Sequence, residues 1–268
     1  MIKLNDVLIR QETFGDGTLK CEEPSFMRWD EDDRSFEILW CYDSDSELFT
    51  LIVLRDFLRE NFPNSKVRLK MPYIPHARQD RCVSGRLFTL KSFAKVINSL
   101  DFYRVEVWDP HSDVSKALID RIYVEPFQYV PTDIHSIMMY PDNGAAKKYG
   151  EYYGCINPII GNKHRNKEGR IDSYELLNFV EGTKSVTIRD DICSYGGTFS
   201  AAAKALRERG VEHIELIVTH CENNILKGDV LNYVDKVITT DSIFTGKHPK
   251  IEVVTHFREI TKEEEYHI

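Results

Sequence analysis

The 268-residue chain reads as an α/β protein built from two mostly parallel sheets, each flanked by helices. Three observations carry that reading. Apolar strand-like runs alternate with helix-like runs from about residue 37 onward, as parallel sheets covered by helices require. The alternation breaks once, around Pro126 and Pro131, and then restarts. Finally, an acid pair and a Gly-Gly-Thr turn lead from an apolar run into an Ala-rich helical run closed by Gly210.

Taken in order, the first half places a strand at Glu37–Cys41, a helix at Ser46–Asn61 and a strand at Val67–Met71. A helix over about Lys91–Leu100, a strand at Val105–Trp108 and a short helix at Asp113–Asp120 complete it. The Tyr123–Ile137 stretch is the expected passage, dividing the chain into residues 1–132 and 133–268. The second half places strands at Ile137–Tyr140, Cys155–Ile160, Ser185–Arg189, Ile214–Thr219 and Val237–Thr240. Its helices are expected over Gly144–Tyr153 and Ser200–Gly210.

Composition narrows the function classes. With 42% hydrophobic and 29% charged residues the chain has the make-up of a soluble globular protein, and no apolar run is long enough to cross a bilayer. Residues 1–10 lack the plan of a signal peptide, so a cytoplasmic setting with no membrane partner is expected. Six widely spaced cysteines form no Cys-x-x-Cys pair and read as reduced thiols. A net charge of −8 argues against a nucleic-acid partner, whereas local basic clusters at Arg78–Arg86 and Lys163–Arg170 suit small polyanions such as nucleotide phosphates.

The segment Asp190-Asp191-Ile192-Cys193-Ser194-Tyr195-Gly196-Gly197-Thr198 carries the sharpest chemistry. Adjacent carboxylates at a strand end accept hydrogen bonds from vicinal ribose hydroxyls. Small residues and a hydroxyl at a helix N-terminus let backbone N–H groups reach a phosphate. This order resembles the ribosyl-phosphate loop shared by type I phosphoribosyltransferases and ribose-phosphate diphosphokinases.

A second segment, Pro72-Tyr73-Ile74-Pro75-His76-Ala77-Arg78-Gln79-Asp80-Arg81, puts two arginines and a glutamine just after a strand, where open α/β sheets bind ligands. It is similar to the ATP-binding signature of the ribose-phosphate diphosphokinase family. The remaining motifs follow in that family's order. Val107-Trp108-Asp109-Pro110-His111 resembles its strand ending in histidine, and Pro141-Asp142-Asn143-Gly144 its Pro-Asp-x-Gly turn. Lys163 and Arg165, within a polar glycine-flanked stretch expected to be a mobile loop, match its Lys-x-Arg pair. Phe14-Gly15-Asp16-Gly17-Thr18 resembles a segment that reaches a neighbouring subunit's adenine pocket, and Val218-Thr219-His220 resembles a strand end beside the ribose site.

The resemblance runs from about Phe14 to Ser242 and implies two tandem type I phosphoribosyltransferase-like domains. It further implies ATP as co-substrate, Mg²⁺ as cofactor, a ribose 5-phosphate compound as acceptor and a homo-oligomer. It assigns Arg78, Gln79, Arg81, Phe14 and Asp16 to ATP, His111 and Asp142 to the metal, and Lys163, Arg165 and His111 to catalysis. Asp190, Asp191, Ser194, Tyr195, Gly196, Gly197 and Thr198 fall to the ribose phosphate. Where the family usually has Asp-Thr, this chain has Ser194-Tyr195. That departure leaves two acceptors open: ribose 5-phosphate, or one with an esterified 5-phosphate such as ADP-ribose, against whose extra group Tyr195 would stack. A phosphoribosyltransferase and a non-catalytic regulatory homologue are the alternatives.

Overall fold

The computed structural model describes residues 1–21, 35–83, 85–129, 131–153, 155, 157–165 and 171–259, apart from the side chains of 151–153, 164–165 and 171–172. By compactness the chain divides into Met1–Pro126 with Phe257–Ile268, and Phe127–His256. The division after Pro126 falls within the expected Tyr123–Ile137 passage, ahead of the 132/133 boundary.

In the first unit, β1 (Ile2–Leu4), β2 (Val7–Leu8), β3 (Gln11–Thr13) and β4 (Leu19–Cys21) precede β5 (Ser35–Trp40). There follow α1 (Glu47–Asn61), β6 (Lys66–Lys70), α2 (Thr89–Ser99), β7 (Arg104–Trp108), α3 (Asp113–Leu118) and β8 (Ile122–Glu125). Its main sheet runs β2-β1-β5-β6-β7-β8, parallel from β5 to β8 and antiparallel at the β1 edge. Alternate apolar side chains on β5, Phe36, Ile38 and Trp40, are buried against Leu51 and Leu58 of α1. Each such burial is worth roughly 1.5–3 kcal/mol. The separate β3–β4 hairpin ends in the Phe14–Thr18 turn.

The second unit contains β9 (Ile137–Tyr140), α4 (Asn143–Tyr153), β10 (Ile159–Arg165), β11 (Ile171–Leu177), β12 (Ser185–Cys193) and α5 (Gly197–Glu208). Then come β13 (His213–Cys221), β14 (Lys236–Thr240) and β15 (Ile251–Thr255). The sheet order is β11-β10-β9-β12-β13-β14-β15, parallel throughout except for the antiparallel β10–β11 hairpin. Val186, Ile188, Leu216 and Val218 form its buried centre, onto which α5 packs Phe199, Ala202, Ala203 and Leu206.

The boundary at 126/127 has a local cause. Phe127 packs with Ile217 and Ile238, and its carbonyl accepts a hydrogen bond from the buried Arg189 guanidinium. Thr132 then donates to Glu215 through both its N–H and its hydroxyl, at 3.1 and 2.6 Å. At the other end Phe257 meets Trp108 edge-on, with centroids 5.0 Å apart. Among the described residues no helix is long and apolar enough to cross a membrane.

Candidate functional site

The acid pair lies inside β12 rather than beyond its end. The expected strand stops at Arg189, but β13 is equally long and the ladder continues through Ile192↔His220 and Cys193↔Cys221. Asp190 and Asp191 consequently alternate across the pleat, as successive strand residues must. Asp191 is buried and accepts from Lys148 Nζ of α4 at 2.8 Å. Asp190 Oδ1 accepts the Asp191 N–H at 2.9 Å. Burial, reinforced by the neighbouring Asp191 carboxylate, pushes the Asp190 carboxyl up to about 8.

Beyond β12 the chain turns through 194–197. Ser194 Oγ donates to Glu222 Oε2 at 2.5 Å, and Asn224 Nδ2 donates to the same oxygen at 3.0 Å. Tyr195 is 55% exposed. Gly196 has φ +82°, and an added Cβ would lie 2.6 Å from Val230 Cγ1. Glycine is required there by conformation and packing alike. Gly197 instead faces open space at the first turn of α5, beside the partly buried Thr198. His220 sits in the core, with Nδ1 2.8 Å from Ser242 Oγ.

A second group of residues assembles at the carboxyl end of β9. Asp142 Oδ1 accepts the Ala145 N–H at 3.0 Å, closing the first turn of α4, while Oδ2 accepts from Lys163 Nζ at 2.8 Å. Burial works against the Asp142 carboxylate, but Lys163 and the N–H groups of Ala145 and Gly144 outweigh it and hold the carboxyl below its usual range. Lys163 belongs to β10, opposite Tyr174 of β11. The stretch expected as a mobile loop is therefore a paired strand as far as Arg165, because the antiparallel partner β11 satisfies its backbone. Residues 166–170 and the Arg165 side chain lie outside the described residues.

Tyr174 Oη donates to the Pro141 carbonyl at 2.9 Å, tying the hairpin to the Pro-Asp turn. Gly161 makes room for this: a Cβ there would lie 1.9 Å from Tyr174 Oη and 2.6 Å from the Pro141 oxygen. Burial first, then the carboxylates of Asp142 and Asp190, holds the Tyr174 phenol above its ordinary range. Asp142, Lys163, Tyr174, Lys148, Asp190 and Asp191 thus form one electrostatically linked group. Lys148, Tyr174 and Glu222 belong to no sequence motif, and their partners are remote in the chain.

In the first unit, Ala77 is buried while Arg78, Gln79 and Arg81 are exposed. Asp80 accepts two bonds from Arg81, at 2.8 and 3.2 Å, and one from Ser112 Oγ at 2.7 Å. Arg81 foremost, aided by Ser112, holds the Asp80 carboxyl below its usual range. Ser112 follows the exposed His111 and caps α3 through the Val114 N–H, so Asp80 joins the arginine segment to the histidine turn. Gln79 Oε1 accepts from Thr89 Oγ1 at 2.9 Å. Phe14 is 54% exposed on the β3–β4 turn. There Asp16 Oδ1 accepts from the Thr18 N–H and hydroxyl at 2.9 and 2.7 Å, which lowers its carboxyl.

Among the described residues no group of three or more His, Cys, Asp or Glu side chains is placed to hold a metal. His111 belongs to the first unit and Asp142 to the second. The Asp142 side chain, 37% exposed and favoured in its ionised form, is a hard oxygen donor of the kind Mg²⁺ takes when it shares substrate phosphates and waters.

No protein-family model matches the chain. It is 30% identical over 221 residues to a ribose-phosphate pyrophosphokinase of Marinomonas sp. (strain MWYL1), spanning 76% of this chain and 69% of that protein. A second one, of Vibrio vulnificus (strain YJ016), is 30% identical over 224 residues, 77% of this chain and 70% of its own. The protein of that name from Hyphomonas neptunium is 25% identical over 249 residues, 85% and 78% of the two chains. Among solved structures, the phosphoribosylpyrophosphate synthetase of Mycobacterium smegmatis superposes with a TM-score of 0.71 at 18% identity, covering 93% of this chain and 86% of that one. The fold is shared with it.

Proposed function

The chain belongs to the ribose-phosphate pyrophosphokinase family and is a transferase of the diphosphokinase type, and we propose that it moves the β,γ-diphosphate of ATP onto the anomeric hydroxyl of a 5-phosphorylated ribose, releasing AMP. The observation that carries this reading is the linked group in the second unit, where Asp142 with Lys163 beyond β9 meets Asp190 with Asp191 and Lys148 in the last half of β12.

In that reading the anomeric oxygen attacks the β-phosphorus, its proton passes to solvent or a nearby base, and the bond to the α-phosphate oxygen breaks. Such a transfer needs alignment and charge neutralisation more than covalent help from the protein. Asp190 and Asp191 grip the ribose diol, with Lys148 fixing the Asp191 carboxylate. Ser194, Tyr195, Gly196, Gly197 and Thr198 surround the 5-phosphate at the N-terminus of α5, whose partial positive charge favours an anion. Lys163 and Arg165 offset charge on the transferring group. Arg78, Gln79 and Arg81, with Phe14 and Asp16 from a neighbouring subunit of a homo-oligomer, hold ATP. Asp142 would hold Mg²⁺, which when bound would neutralise triphosphate charge. His111 steadies the ATP phosphates.

The acceptor is ribose 5-phosphate or an ester of it such as ADP-ribose. The exposure of Tyr195 leaves its ring available to an extra group. The test is incubation with ATP and Mg²⁺ and each acceptor in turn, without any nucleobase. AMP released in step with a 1-diphosphate supports the assignment, and no AMP with either acceptor overturns it.

A further inference from the structure

The second unit holds a recess along one side of α5, with a volume of about 410 Å³. It starts at Gly197, in the turn assigned above to the 5-phosphate, and continues past Ala201, Lys204 and Ala205 to Glu208, with Ser173 and Tyr174 of β11 along its other side. Positions 197, 201, 204, 205 and 208 share one helical face, and the eleven steps from Gly197 to Glu208 at the helical rise span roughly 16 Å. A phosphate needs only the start of that length. The rest has room for a substantial group attached to it.

The chemistry of the lining narrows that group. Lys204 Nζ reaches Asp229 Oδ2 at 3.1 Å, and Ser200 Oγ also donates to Asp229. Lys204 lies over the Tyr233 ring, 4.5 Å from its centroid. One ammonium set among the Asp229 and Glu208 carboxylates leaves the recess slightly acidic, which disfavours a free anion beyond the helix N-terminus. Carboxylates and serine hydroxyls do suit sugar hydroxyls, to which they offer acceptors. The small side chains of Ala201 and Ala205 leave a floor on which a flat ring can lie.

We infer that this recess receives whatever is joined to the acceptor's 5-phosphate, and that its occupant is a nucleoside linked through a second phosphate near the helix N-terminus. The inference rests on the assignment of the 194–198 turn to the 5-phosphate and names the substrate class of that site. Ala205→Trp in the full-length protein would fill the recess while leaving the turn intact.

Steady-state kinetics with ATP and either ribose 5-phosphate or ADP-ribose would test it. Ala205→Trp should lower kcat/KM for ADP-ribose by about tenfold or more, a loss typical of a blocked subsite, and leave ribose 5-phosphate within about twofold. Lys204→Met, a milder change, should show the same selectivity should the tryptophan variant fail to fold. A parent enzyme active on ribose 5-phosphate but not on ADP-ribose overturns the recess assignment alone, as do variants that affect both acceptors equally or neither. Absence of AMP with both acceptors would overturn the diphosphokinase reading beneath it.

Discussion

Lys163 Nζ rests 2.8 Å from Asp142 Oδ2, so the cation assigned to the transferring diphosphate and the carboxylate assigned to magnesium are each other's partner. Their separation in sequence is bridged by the β10–β11 hairpin, which the Tyr174–Pro141 bond fastens to the same turn. Substrate phosphates and a divalent cation would exchange these partners, giving Lys163 to the phosphate and Asp142 to the metal.

Replacing Lys163 by alanine should therefore lower kcat by about 10²–10³-fold, the scale of losing one charge-stabilising donor, with only a modest change in ATP affinity. Turnover assays paired with equilibrium nucleotide binding measure both. Parent-like turnover in the variant would remove Lys163 from the mechanism.

Gly161→Ala should shift the hairpin, because the new Cβ lies 1.9 Å from Tyr174 Oη and 2.6 Å from the Pro141 carbonyl. Overpacking of this kind costs about 1–3 kcal/mol. Tyr174→Phe loses the hydrogen bond alone and should cost about 0.5–1.5 kcal/mol. Urea unfolding ranks the two, and Gly161→Ala is expected to be the more damaging.

Lys148→Met takes the ammonium from the buried Asp191 carboxylate and should destabilise the protein by about 1–3 kcal/mol. Adding Asp191→Asn should recover part of that loss, since the variant no longer buries the charge. A double variant no more stable than Lys148→Met would show that the pair is not coupled.

The pH dependence of stability carries a definite sign at Asp190. Its carboxyl titrates near about 4 in an unfolded chain and is pushed up to about 8 in the folded one by burial and Asp191. Between those values the folded chain binds the extra proton, so this group's contribution is full at low pH and is lost as pH rises towards 8. Asp191, Asp142 and Lys148 are the charged groups that bear on it. Asp190→Asn should gain in Tm over the parent progressively from pH 4 to 8, then hold level. A gain independent of pH would contradict the assignment.

The doubly flanked parallel sheets are legible because buried parallel strands such as Ile214–Thr219 are near-continuous apolar runs, broken here by Glu215. What escaped lies at edges. The far end of β10 is polar, as in Asn162-Lys163-His164-Arg165, and reads as loop until its antiparallel pairing with β11 is seen. β1 to β4 are too short for a periodic signal. The motif residues stand in the sequence, but their contacts do not. Nothing local links Lys148 to Asp191, 43 residues away, or Ser194 to Glu222, 28 away. The sequence marks Gly196 as a small residue at a phosphate-binding turn, but not that Val230 fills the space its Cβ would take.

Transfer of two phosphoryl groups as one unit can be followed with ATP labelled at the β-phosphorus, in the presence of Mg²⁺ and a 5-phosphorylated ribose. The label should appear in a sugar 1-diphosphate, with unlabelled AMP formed in equal amount. Label recovered in ADP, with a single phosphate on the sugar, would contradict it.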